Sequence, residues 1–383
     1  MEKMKSIDQS SLVAAIMYSV LATAGLFYVN LGGAFLSAFV DGLGLARDQA
    51  GFIVSANKYG AAFGALLATF IVKKVAWRKT ILFLFLLMIL IDSISSLITN
   101  ANSLIYIRFL HGTIGGLSVG IGLSIIARTY NPDKIFGMLL VVQYSFGSLG
   151  IFTVPRLVDS FGHGAVFGVL ILFTLMTILI LPFVPDVREP DNKKFKFSLN
   201  INYFLLLALA GLFLFQSSNM GVADYAFELG KDIGLNNNEI SNMLTVANLI
   251  SIIGGVLVYI IGTKYGRTLP LILGITTSAI FTYLLHYSEN INMYFIANTM
   301  TGIAWAFVIP YILGLCSSFD RHGQMAALAG FISKVGLASG PLIGSLLIMD
   351  YGFNTIINMA TAALIISIFL LSFTSMNKKV SES

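Results

Sequence analysis

Twelve apolar stretches, each about twenty residues or longer, follow one another along this chain with mostly short connections. About 20 apolar residues in a helix cross the hydrocarbon core of a bilayer. Only a helix or a closed barrel satisfies the backbone there, because lipid offers an amide no other partner. The stretches lie near 11–40, 49–72, 79–99, 103–128, 135–157, 164–184, 202–223, 240–262, 268–287, 291–316, 323–348 and 354–375. Of the 383 residues, 57% are hydrophobic and 11% charged, whereas soluble domains carry roughly 25% charged residues. The expectation is an all-α membrane protein of twelve transmembrane helices. The first stretch has no Ala-x-Ala-like exit and reads as a membrane helix rather than a cleaved leader.

The net charge of +5 does not point to nucleic acid, because the basic residues gather in short loops rather than along one face. Of the 23 Lys and Arg residues, seventeen fall in alternate loops and the two termini. Three (Arg47, Arg156 and Lys231) fall on the opposite side, and Lys58, Arg108 and Lys334 lie inside spans. Lys and Arg mark cytoplasmic loops, so both termini and the central 185–200 loop are expected in the cytoplasm, with the chain in the cell (inner) membrane. The single cysteine, Cys316, excludes an internal disulfide and a cysteine-rich metal site. No nucleophile–base or metal-ligand pattern rises above chance, so no enzyme, metal site or cofactor is expected.

The two halves echo each other at an offset near 190. Gly44-Leu45 and Ala56-Asn57 recur as Gly234-Leu235 and Ala247-Asn248. KKVAWRKTIL (73–82) parallels TKYGRTLPLIL (263–273), and Gly150 and Gly336 each precede a proline by five residues. The order and span numbers agree, which implies a six-plus-six duplication: an N-terminal bundle over 1–184, a loop at 185–200 and a C-terminal bundle over 201–383. Twelve spans, two halves, a basic loop after span 2 and its copy after span 8 resemble the major facilitator superfamily across essentially the whole chain. Arg78-Lys79 matches the end of that family's loop signature, with Lys74 at its acidic place, and RFLHG (108–112) resembles its span-4 Arg-x-x-x-Gly. The span-5 pattern of family antiporters is missing, with VPRLVD at 154–159. The resemblance implies two pseudo-symmetric bundles and alternating access, with spans 1, 4, 7 and 10 lining a central cavity. No phosphate-cradling Gly-rich loop appears, so a proton or other ion gradient is the expected driver.

Ionisable groups inside a membrane mark functional candidates, since each costs roughly 2.5–3.5 kcal/mol at a helix centre on insertion scales. Asp92 and Arg108 are each eight residues from Asn100, so a hairpin sets both about 12 Å from the turn and makes an ion pair available. Lys58 lies on the face of its helix opposite Gly60 and Gly64, whose spacing reads as a close-packing seam. It points either to a cavity or to lipid. Lys334, roughly 16 Å into its span, is near the midplane beside Ser333, Gly336 and Ser339. Two lysines without a midplane carboxylate suit an anionic solute.

The expected solute contacts are therefore Lys58 and Lys334, joined by Asn30, Gln143, Asn219, Asn298 and Trp305. The expected proton-coupling residues are His111, Arg108, Asp92 and Asp224. The functional expectation is a monomeric, proton-coupled secondary transporter of a small organic anion, such as a carboxylate metabolite or an acidic chelator. The alternative is a multidrug/proton antiporter exporting amphipathic drugs. Its partners are the solute, protons and the lipid bilayer, with no nucleic acid.

Overall fold

The computed structural model describes residues 7–72, 75–129, 132–187, 202–319 and 324–376, which are helical with no strand among them. Many of the basic positions expected to set topology lie outside those residues, among them Lys3, Lys5, Lys73, Lys74, Arg188, Lys193, Lys194, Lys196, Arg321, Lys378 and Lys379. The chain divides into two compact units, Met1–Gly44 with Ala56–Lys194, and Leu45–Ser55 with Phe195–Ser383. Among the described residues, eight helices are long and apolar enough to cross a membrane by length and composition.

The first unit contains α1 (Leu12–Ala24), α2 (Phe27–Asn30), α3 (Gly32–Leu43), most of α4 (Arg47–Ile71), α5 (Trp77–Ser95), α6 (Ala101–Ala127), α7 (Pro132–Phe161) and α8 (Gly164–Ile180). The stretch expected as one continuous span over 11–40 is broken into α1, α2 and α3, with three-residue hydrogen bonds such as Leu26 N to Thr23 O and Leu31 N to Tyr28 O at the joints. Helix α4 meets α6 through four glycines. A Cβ on Gly60 or Gly64 would overlap the carbonyl oxygens of Phe109 and Thr113, and one on Gly112 or Gly116 those of Asn57 and Ala61. Backbone therefore lies on backbone, as small residues at helix contacts in membranes allow. The seam expected at Gly60 and Gly64 is present, with a matching pair on its partner.

Arg78, one of the two residues that match the family's loop signature, holds the end of α8. It donates to the carbonyl oxygens of Leu181 (2.9 Å) and Val184 and pairs with Asp186 at 3.0 Å. Both carbonyls lie in the short turn over Leu181–Val184 that follows α8.

The second unit contains α9 (Tyr203–Ala223), α10 (Ala226–Asp232), α11 (Asn237–Ile261), α12 (Thr268–Leu284), α13 (Ile291–Ser317) and α14 (Gln324–Met376), with the first turns of α4. Gly352, at φ 67°, bends α14 into two arms that answer to the last two expected spans. A residue with a side chain is strained at that φ. Asparagines cap the starts of α6, α9, α11 and α13, and at α11 the Asn236 and Glu239 pair forms a full capping box. Leu205, Leu212, Phe215, Leu271, Ile275, Ile312 and Leu371 fill the core of this unit.

Candidate functional site

The first unit encloses a polar cluster built from three helices, α4, α5 and α6. Asp92 of α5 and Arg108 of α6 are fully buried, and the guanidinium Nη1 lies 2.6 Å from Asp92 Oδ1. One turn on, His111 is also buried, and Arg108 Nη2 donates to its Nδ1 at 2.8 Å. Asn57 of α4 donates from Nδ2 to the Arg108 carbonyl oxygen (3.0 Å) and lies 2.9 Å from the same His111 Nδ1. His111 Nε2 lies 3.3 Å from Asp92 Oδ1. The rings of Tyr28 (α2) and Phe167 (α8) cover the guanidinium, at 4.7 and 5.4 Å from their centroids. Arginine retains its charge in such a place because a carboxylate neutralises it and aromatic faces accept its planar cation.

Three other expected residues lie in this unit. Lys58 follows Asn57 in α4 and is 2% exposed, so it is enclosed by protein rather than turned outwards. Asn30, at the break between α2 and α3, has a buried amide nitrogen that makes no hydrogen bond among the described residues. Gln143 is half-buried on α7.

In the second unit Gln216 of α9 links two further helices. Its amide nitrogen donates to Ser333 Oγ on α14 at 2.6 Å, and its oxygen accepts the Trp305 indole of α13 at 2.7 Å. Lys334, the next residue on α14, is half-buried. Asn219 donates to Phe215 O in its own helix and accepts from Ser278 on α12, while Asn298 donates to Tyr294 O. The amide groups of both are thus engaged by neighbouring helix groups.

A separate charged group lies at the α10 end of this unit. Arg47, the first residue of α4, pairs with Glu228 at 3.0 Å and with Asp232, and Glu228 also takes Lys231 at 2.6 Å. Burial works against the Arg47 charge, but the hydrogen bonds and charges of Asp232 and Glu228 outweigh it and hold the guanidinium above its ordinary value. Tyr225 bonds Ser345 at 3.0 Å beside it. Asp224 is buried at the end of α9, in a different unit from Asp92, Arg108 and His111.

The structure thus joins three of the four expected proton-coupling residues. Sequence reasoning left out Asn57 as a site residue, although its recurrence as Asn248 in the repeat marked the position. It also missed the Gln216 bridge. No group of three metal-ligating side chains occurs among the described residues.

Residues 205–382 match the family model of the Major Facilitator Superfamily. The fold matches that of the nucleoside transporter NupG at a TM-score of 0.77 and 9% identity, over 94% of this chain and 99% of that one. The C-terminal half thus resembles the major facilitator superfamily in sequence, and the whole chain shares the fold of its transporters. A D-xylose–proton symporter shares the fold at a TM-score of 0.69 and 16% identity, over 94% of this chain and 96% of that one. Among curated proteins, the "Probable multidrug resistance protein EmrY" of Escherichia coli (strain K12) is 25% identical over 228 residues. That match takes in 55% of this chain and 40% of EmrY, less than half the length of the relative.

Proposed function

We propose that this chain is a transporter of the major facilitator superfamily that carries a small organic anion and couples its movement to protons. Lys334 carries the reading. It lies about ten residues, roughly 15 Å, along α14 and has no ion-pair or hydrogen-bond partner among the described residues. An ammonium so placed is costly in a membrane protein. A bound carboxylate lowers that cost, whereas a cationic solute adds to it. The Gln216–Ser333–Trp305 bonds hold the neighbouring side chains in one arrangement, so the lysine has a fixed frame rather than a loose surround. Lys58 and Asn30 in the first unit are proposed as further polar contacts, and the Asp92–Arg108–His111 cluster as the proton-coupling element. Alternating access follows from the superfamily, and the basic loops favour cytoplasmic termini in the cell membrane.

Thermal-shift measurements on the purified protein against anionic and cationic metabolite sets test this. Selected anions are expected to stabilise it, and Lys334→Ala is expected to weaken their binding about 10- to 100-fold, the worth of a hydrogen bond to a charged group. Stabilisation by cations alone would sink the anion reading. The second reading, export of amphipathic drugs, rests on the partial match to EmrY, which is named a probable multidrug resistance protein. It predicts stabilisation by lipophilic cations that survives Lys334→Ala.

A further inference from the structure

The geometry points to Asn57 as a positioning residue that holds His111 neutral, so that the carboxylate of Asp92 and not the imidazole receives the proton. The second half of this rests on the reading of the cluster as the proton-coupling element.

The orientation of the Asn57 amide is fixed first. Its Nδ2 lies 3.0 Å from the carbonyl oxygen of Arg108, and turning the amide over would set oxygen against oxygen. The NH2 group therefore faces His111 Nδ1, 2.9 Å away. Arg108 Nη2 reaches the same atom at 2.8 Å, and a guanidinium has only donors. Two donors converge on His111 Nδ1, so that nitrogen presents its lone pair. A neutral ring then carries its hydrogen on Nε2, the atom that faces Asp92 Oδ1 at 3.3 Å.

Donors thus hold Nδ1, while Nε2 faces Asp92 Oδ1 without making a hydrogen bond among the described residues. A second proton on the imidazole needs Nδ1, and Asn57 and Arg108 stand in its way. The groups facing the ring from every packed element are Asp92 of α5, Arg108 of its own α6, Asn57 of α4 and Tyr28 of α2, whose ring centroid is 6.2 Å away. Among them, Asp92 Oδ2 is a buried acceptor with no hydrogen-bond partner. A proton arriving there forms one O–H bond and breaks none within the cluster. The Nε2–H of His111 still faces Oδ1.

The wild-type protein in lipid, labelled with ring nitrogen-15 histidine, decides the first half by nuclear magnetic resonance. The sequence has four histidines, and a His111→Gln sample assigns the signal. An unprotonated Nδ1 and a protonated Nε2 that persist from about pH 8 to pH 5 are expected. Asn57→Leu removes one donor, and its His111 is expected to titrate inside that window. Asn57→Asp replaces the donor with an acceptor and is expected to place a hydrogen on Nδ1. A wild-type ring protonated at Nδ1, or a titration unchanged in Asn57→Leu, overturns the assignment. The wild-type spectrum alone suffices where a variant does not fold. Infrared spectra supply the second half: a carboxylic acid band that grows as pH falls and is lost in Asp92→Asn. Absence of that band, with the Nε2–H ring confirmed, overturns the proton seat and leaves the role of Asn57 standing.

Discussion

Arg108 and Asp92 are enclosed together, and each is costly without the other. Removing one partner of a buried pair strands a charge, at about 3–5 kcal/mol. Arg108→Ala and Asp92→Ala are therefore expected to lower the unfolding temperature sharply, while Asp92→Asn combined with Arg108→Gln loses less than either alanine variant. Unfolding in detergent measures this, and an additive double variant would contradict the pairing. This contact was legible in the sequence, because equal spacing from Asn100 settles depth in a hairpin without knowledge of other helices. The Asn57–His111 contact was not. It depends on the register at which α4 crosses α6, and that register is set by four glycines acting together. Lys334 could be placed by depth alone, whereas the Gln216 bridge beside it joins three helices and has no local signature.

The glycines also separate two kinds of helix position. Gly112→Ala is expected to cost about 1–3 kcal/mol by overpacking, because its Cβ meets the Asn57 backbone. Gly168→Ala in α8 meets nothing within 4 Å and is expected to be neutral or to stabilise by up to about 1 kcal/mol through helix propensity. Equal effects of the two on thermal unfolding would argue against the seam. Spacing four residues apart disclosed Gly60 and Gly64 in advance. The break of the first span at Gly25–Leu26 and Leu31 was hidden, because an apolar run reads alike whether its helix is straight or interrupted.

Across the whole molecule, the helices are consistent with the twelve expected spans once α1–α3 and the two arms of α14 are grouped and the short α10 is set aside, although eight helices of the described residues are long and apolar enough by themselves. Hydropathy reveals so much because the bilayer forbids most alternatives. The charge distribution makes a molecule-wide prediction of its own. With Cys316 replaced by serine, Lys264→Cys should react with a membrane-impermeant thiol reagent only from the cytoplasm, and Glu289→Cys only from outside. Both positions are exposed, while Cys316 is buried. Labelling of both from one side would overturn the orientation.

The α4–α6 seam has a further consequence for how faithfully this protein holds its polar cluster. Most helix pairs touch through side chains, which change rotamer and so act as springs between the rods. Here carbonyl oxygens rest against bare α-carbons, and such a joint has almost no give. Asn57 is part of that joint, since its own carbonyl oxygen meets Gly112 while its amide reaches His111. Thermal jitter that blurs hydrogen bonds elsewhere is damped at this one. The seam thus fixes the two backbones from which the Asn57 and His111 side chains meet.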